Sequence, residues 1–160
     1  MLNRRSLLNW GCAFGGLLGA APLQAASAQV DDGLITVKSV YGFAETIERL
    51  RADIAAKNIM FFGAIDQAKL PAGAGILLRP STLLLFGNPP LGIQFLTAKP
   101  AAVLDWPVRL LVTADARGRV WATYTDFGWI ARRHNISDRD AAFAKASEVV
   151  ASITSAVAPK

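Results

Sequence analysis

The run Ser81-Thr82-Leu83-Leu84-Leu85-Phe86-Gly87-Asn88-Pro89-Pro90-Leu91-Gly92 joins a strand signal directly to a helix signal. Residues 83–86 are continuously apolar, the pattern of a strand covered on both faces. Gly87 has no Cβ, so the backbone can turn sharply there or be approached closely. Asn88 is a good N-cap, because its side-chain oxygen can accept from an amide of the first helical turn. Pro89 then falls at the first helical position, where its missing N–H would have had no partner. A central strand that hands over to a helix without a linker implies a layered domain.

Working upstream, residues 34–41 alternate, with Ile35, Val37 and Ser39 on one side and Thr36, Lys38 and Val40 on the other. That is the pattern of a half-buried first strand. Over residues 43–57 the period becomes helical. Phe43, Ile47, Leu50 and Ile54 form a stripe, and Glu48, Arg49, Arg51 and Asp53 are left for water. Asn58 is a natural stop. Residues 59–65 read as a second strand ending at Asp66-Gln67, and a loop with Pro71, Gly73 and Gly75 leads through Ile76-Leu77-Leu78 to the central strand.

Downstream, the helix after Asn88 is short and closed by Lys99-Pro100, with Leu91, Phe95 and Ala98 facing inward. Residues 107–114 and 119–125 read as a hairpin in which Gly118 supplies the positive φ of the turn. Val108, Leu110 and Val112 share one face, as do Val120, Ala122 and Tyr124. Residues 126–134 predict a helical turn or two. Ser137 is expected to cap the last helix, with Asp140 at N3, and the inward stripe is Ala142, Phe143, Ala146, Val149, Val150, Ile153 and Val157. The order predicts an α+β fold of two layers, a mostly antiparallel sheet with helices packed on one face.

The first 28 residues do not belong to that domain. Arg4 and Arg5 form a positive start, residues 7–23 are mildly apolar and rich in Gly and Ala, and Ala26-Ser27-Ala28 fits a small-residue cleavage site. A membrane anchor fits less well, because the apolar part is short and interrupted by Asn9 and Pro22. The expectation is a signal peptide over residues 1–28, cleavage near Ala28, a single domain over residues 29–160, and a periplasmic or secreted product with no stable membrane span. Asn3-Arg4-Arg5-Ser6-Leu7-Leu8 resembles a twin-arginine signal but lacks the usual Ser or Thr before the pair, so that route and the general secretory one both stay open.

Cys12 is the only cysteine and lies inside the signal, so the processed chain has no thiol for disulfides, thiolate metal sites or cysteine nucleophiles. Without Arg4 and Arg5 the formal net charge falls from +5 to +3, and the remaining basic residues are scattered, which gives no nucleic-acid footprint.

Candidate chemistry is sparse. The helix start at Gly87 and Asn88 is the candidate ligand site, since a helix N-terminus favours anions, although Pro89 and Pro90 remove donors there. His134, the lone histidine, is a candidate general base if Asp126 or Glu45 orients it. The alternative for His134 is a stabilising position at a helix C-terminus. No nucleophile elbow, phosphate loop or dinucleotide fingerprint is present. His134 with Glu45, Asp66 or Asp126 has no metal-site spacing, so no metal and no cofactor are expected. On the strand 119–125, Trp121 lies opposite Val120, Ala122 and Tyr124, so a sheet covered on one face leaves either Trp121 or Tyr124 on the open one. An open-face aromatic beside Leu111 and Thr123 would mark a subunit or ligand surface.

Six segments are in register with one family: Glu45-Thr46, Ile65-Asp66, Phe86-Gly87-Asn88-Pro89, Trp106-Pro107-Val108, Tyr124-Thr125-Asp126 and Ala131-Arg132-Arg133-His134. Over residues 37–136 the chain resembles the family named domain of unknown function 302. The resemblance implies a small α+β fold similar to the TATA-binding-protein fold, with a curved antiparallel sheet carrying helices, and a dimer. It implies no activity. Where the family commonly has a histidine after Ile65-Asp66, this chain has Gln67, which can hydrogen-bond but cannot titrate or bind metal well.

The reading that follows is an exported binding or interaction module that self-associates as a homodimer through its open sheet face. The alternatives are a small enzyme using Glu45, Asp126 and His134 in a cleft, or a carrier of a small apolar or anionic ligand between helix and sheet.

Overall fold

The computed structural model describes residues 32–70 and 75–160. The signal peptide expected over residues 1–28, its cleavage point near Ala28, and Pro71 and Gly73 of the loop lie outside the described residues. The elements run β1 (Leu34–Lys38), α1 (Phe43–Ala56), β2 (Met60–Asp66), a 3-10 turn (Gln67–Lys69), β3 (Ser81–Gly87), α2 (Pro89–Ala98), a second 3-10 turn (Pro100–Asp105), β4 (Val108–Ala114), β5 (Val120–Thr125), α3 (Phe127–His134) and α4 (Asp140–Ser155).

The five strands form one sheet in the order β1-β5-β4-β3-β2, antiparallel at every pairing. The alternation of each strand decides its two faces. Thr82, Leu84 and Phe86 of β3, Val108, Leu110 and Val112 of β4, and Val120, Ala122 and Tyr124 of β5 are all buried. Register aligns them, with Leu84 opposite Leu110 and Leu110 opposite Tyr124. The helices meet this face with Leu50 and Ile54 of α1, Phe95 of α2, Phe127 and Ile130 of α3, and Phe143, Val150 and Ile153 of α4. Phe95 and Phe143 stack with ring centroids 4.3 Å apart. The expected α+β architecture, with helices on one face of an antiparallel sheet, is the one observed.

Both asparagines that follow helices do the same work. Asn58 and Asn135 sit at φ 52°, the left-handed conformation that ends a helix. The next amide then reaches back: Ile59 donates to the Ile54 carbonyl at 3.1 Å and Ile136 to that of Ala131 at 3.0 Å. At its other end α1 begins after Gly42, which has no side chain to cap with. A buried hydroxyl pair, Ser39 Oγ and Thr46 Oγ1 at 2.7 Å, ties that turn down instead, and Ser39 Oγ accepts from the Tyr41 amide.

Three expectations are corrected. The apolar strand β3 is not the middle of the sheet; β4 is. Nor is β3 covered twice, since Leu83 and Leu85 are only half-buried while Leu84 and Phe86 are closed off. No helix of the described residues lies over Leu83 and Leu85, so their apolar character answers to something other than the core. Finally, Ser137 does not cap α4, whose N-cap is Arg139 without a side-chain bond. Ile136 is still engaged in closing α3, and Ser137 falls in the connection two residues before the N-cap of α4.

Candidate functional site

Where β3 runs into α2, the Asn88 side chain accepts from the Leu91 amide at 3.2 Å, as a cap should. Pro89 and Pro90 have no N–H, and the Leu91 and Gly92 amides both donate to the Asn88 carbonyl. The start of α2 therefore offers no spare donor for an anion; what remains there is the positive end of the helix dipole.

Gly87 and Gly92 have a different purpose. A Cβ on Gly87 would lie 2.3 Å from Cη2 of Trp106, and one on Gly92 would lie 2.7 Å from its Cε2. The indole occupies the space that two side chains would otherwise fill. Together with Phe86, Phe95 and the inner side of α4 it lines a half-open groove of about 600 Å³, which Gly87 and Asn88 also border. Lys57, Gln94, Lys145 and Glu148 supply polar groups to the same groove. A mostly apolar groove of that volume is large enough to take a small molecule.

A second cluster lies behind Trp106. Asp105, whose side chain is 2% exposed, closes the second 3-10 turn and gathers three cations or donors. His134 Nε2 lies 2.7 Å from its Oδ2, Arg109 donates at 2.6 Å to its Oδ1, and Arg133 reaches both oxygens at 3.2 Å. His134 is buried at the last position of α3, where the helix dipole favours positive charge. The cavity beside Asp105 is about 10 Å³, room for about one water and not for a substrate. The cluster is well suited to hold the Trp106 segment against α3 and β4.

The candidate trio of Glu45, Asp126 and His134 is not assembled. Glu45 pairs with Arg49 on the exposed side of α1. Asp126 caps α3, accepting from the Trp129 amide at 2.7 Å. No hydrogen bond or ion pair among the described residues joins any of the three to another. Asp105 is the partner of His134 that sequence reasoning missed; an acid in a proline-flanked stretch reads as solvated, and only its i,i+4 spacing to Arg109 hints otherwise. Gln67 accepts from Ser81 Oγ at 2.8 Å and so pins the exit of β2 to the entry of β3. Among the described residues no group of three or more His, Cys, Asp or Glu could hold a metal ion.

On the face away from the helices, Trp121 is half-buried and Tyr124 is buried under the helices, which resolves the alternative between them. Asp115 holds Trp121 from the hairpin turn, accepting from its indole N–H at 3.4 Å and from Arg119 at 2.7 Å. Desolvation pushes the Asp115 carboxyl up, but hydrogen bonds from the Arg119 side chain, the amides of Arg117 and Arg119, and Trp121 outweigh it. The net result is a pKa lowered to about 2.

Fold and site together define a two-layer α+β domain with a Trp-floored groove on one side of its sheet and, on the other, an uncovered face that carries the row Ile65, Leu83 and Leu111 among polar neighbours. A family model described as "Domain of unknown function DUF302" matches residues 35–158, and the chain belongs to that family. A solved relative, the uncharacterized conserved protein DUF302 from Bacillus stearothermophilus, superposes with a TM-score of 0.72 at 17% identity, covering 79% of this chain and 98% of that one. It shares the fold. The chain is also 38% identical over 107 residues to the "Fluoride-specific ion channel FluC 1" of Brucella suis biovar 1 (strain 1330), a stretch that is 67% of this chain and 42% of that protein. The FluC 1 of Brucella abortus biovar 1 (strain 9-941) matches at the same identity over 40% of its length. The chain thus spans about two fifths of the curated relatives it matches.

Proposed function

We propose that the protein is an exported interaction module that self-associates through its uncovered sheet face. One observation carries this reading: a continuous cross-strand row on that face, Ile65 opposite Leu83, Leu83 opposite Leu111, and Leu111 opposite Thr123. Ile65 is 41% exposed, Leu83 and Leu111 are half-buried, and Trp121 stands on the neighbouring row opposite Thr113. Apolar area left in water forfeits about 25 cal/mol per Å². A second copy laid on the same surface recovers it from both partners at once, as a two-fold contact does.

The Brucella relatives support the modular part of this reading, because the matched stretch is the smaller share of each. Only that arrangement is carried to this chain. Among the described residues no helix is long and apolar enough to cross a membrane.

The test is the mass of the protein in size exclusion at micromolar concentration. A dimer is expected, and a monomer would overturn self-association. Export is tested separately: the amino terminus of the protein recovered outside the cytoplasm should begin near residue 29, and a product retaining residues 1–28 there would contradict it.

A further inference from the structure

We infer that the groove between α2, α4 and the sheet binds an amphipathic organic anion, a molecule with an apolar body of ring size and one negatively charged end. The floor sets the first half of that description. Trp106 is slotted against Gly87 and Gly92 so closely that neither position accepts a Cβ, and Phe86 and Phe95 continue the apolar surface. A volume of about 600 Å³ suits a body of one or two rings.

The rim sets the second half. Lys57 at the end of α1 and Lys145 on α4 both border the groove, and the positive end of the α2 dipole lies at Asn88 on its edge. Lys145 is paired with Glu148 on the exposed side of α4, and a pair of that kind holds weakly enough to be redirected to a ligand, while Lys57 is paired with the half-buried Asp53 one turn earlier on α1. Among the described residues two ammonium groups, Lys57 and Lys145, and one carboxylate, Glu148, border the groove directly. The spare amides needed to cradle a phosphate are missing at α2, which favours a carboxylate or sulfonate head met by ammonium groups over a phosphate met by backbone. This site lies on the helix side of the sheet and does not depend on self-association.

The experiment titrates the purified protein with two fluorescent probes of similar shape, the anion 1-anilinonaphthalene-8-sulfonate and the uncharged N-phenyl-1-naphthylamine. Saturable binding of about one dye per chain is expected, tighter for the sulfonate. Lys57→Gln and Lys145→Gln should each weaken the sulfonate about two- to fivefold and leave the neutral dye unchanged, as loss of a rim charge does. Gln94→Trp, at an exposed position that folding does not require, should fill the groove and remove both. Leu111→Glu on the opposite face should change neither. Equal binding of the two dyes would overturn the anionic half of the inference. Absence of saturable binding, survival of binding in Gln94→Trp, or its loss in Leu111→Glu would overturn the site itself.

Discussion

The two faces of β3 carry almost the same side chains and live in different surroundings. Leu84 and Phe86 are closed off under the helices, while Leu83 and Leu85, their neighbours in the chain, are half open. A solvated face of an antiparallel sheet is ordinarily polar. Here the row Ile65, Leu83 and Leu111 keeps an apolar character that the core does not use. The covered face accounts for the fold, and the proposed self-association accounts for the apolar row on the open one.

The sharpest way to break that comparison is to truncate both faces. Phe86→Ala should cost about 3–5 kcal/mol in urea unfolding, through lost transfer energy and the cavity left behind. Leu83→Ala should cost only about 1 kcal/mol in dilute solution, because the side chain is half in water already. Its cost should then rise with protein concentration, as mass action demands if the folded dimer hides it. Equal and concentration-independent losses for the two variants would remove the distinction between the faces.

Next in size is Gly87→Ala, at the end of the same strand on the groove side. The new methyl must displace the Trp106 indole, at about 1–3 kcal/mol, with a shift in tryptophan emission as that ring moves. Asp105→Ala should fall in the same range, about 1–3 kcal/mol, since it leaves buried His134 without its partner while Arg109 and Arg133 turn to solvent. A neutral Asp105→Ala would mean that the cluster does not anchor the floor of the groove.

The smallest effect belongs to the open-face side. Asp115 has a folded pKa of about 2 against an ordinary 3.8, so its contribution is fully present above pH 3.8 and is lost as pH falls through 2. The thermal stability gap between the wild type and Asp115→Asn should therefore narrow over that window. A gap that stays constant down to pH 2 would show that the Arg119 and Trp121 contacts do not depend on the charge.

Much of this architecture was legible in the residues themselves. The strands read over residues 34–41 and 119–125 appear at Leu34–Lys38 and Val120–Thr125, the first three residues shorter than its alternation suggests, and the Leu50 and Ile54 stripe, Asn58 as a stop and Asn88 before two prolines appear as read. What could not be read has physical causes. A short apolar run looks the same whether one face of it is covered or two, so the exposure of Leu83 and Leu85 was hidden. The Asp105 cluster unites residues 28 and 29 positions apart, and no local spacing encodes such a meeting. The groove was half legible: Gly87 and Asn88 marked its edge, but the indole that demands Gly87 stands on another element. Asp105, and not Asp126 or Glu45, stands beside His134, because Asp126 caps α3 and Glu45 pairs with Arg49 on the surface.

Sedimentation equilibrium of the wild type, Leu111→Glu and the control Arg51→Glu, the last at an exposed position of α1 over the Phe61 ring, bears most directly on the open face. The wild type and Arg51→Glu should fit one dimer dissociation constant, and Leu111→Glu should be monomeric with its fold intact. A wild-type monomer, or a dimer that Leu111→Glu leaves unchanged, would contradict the assignment of that surface.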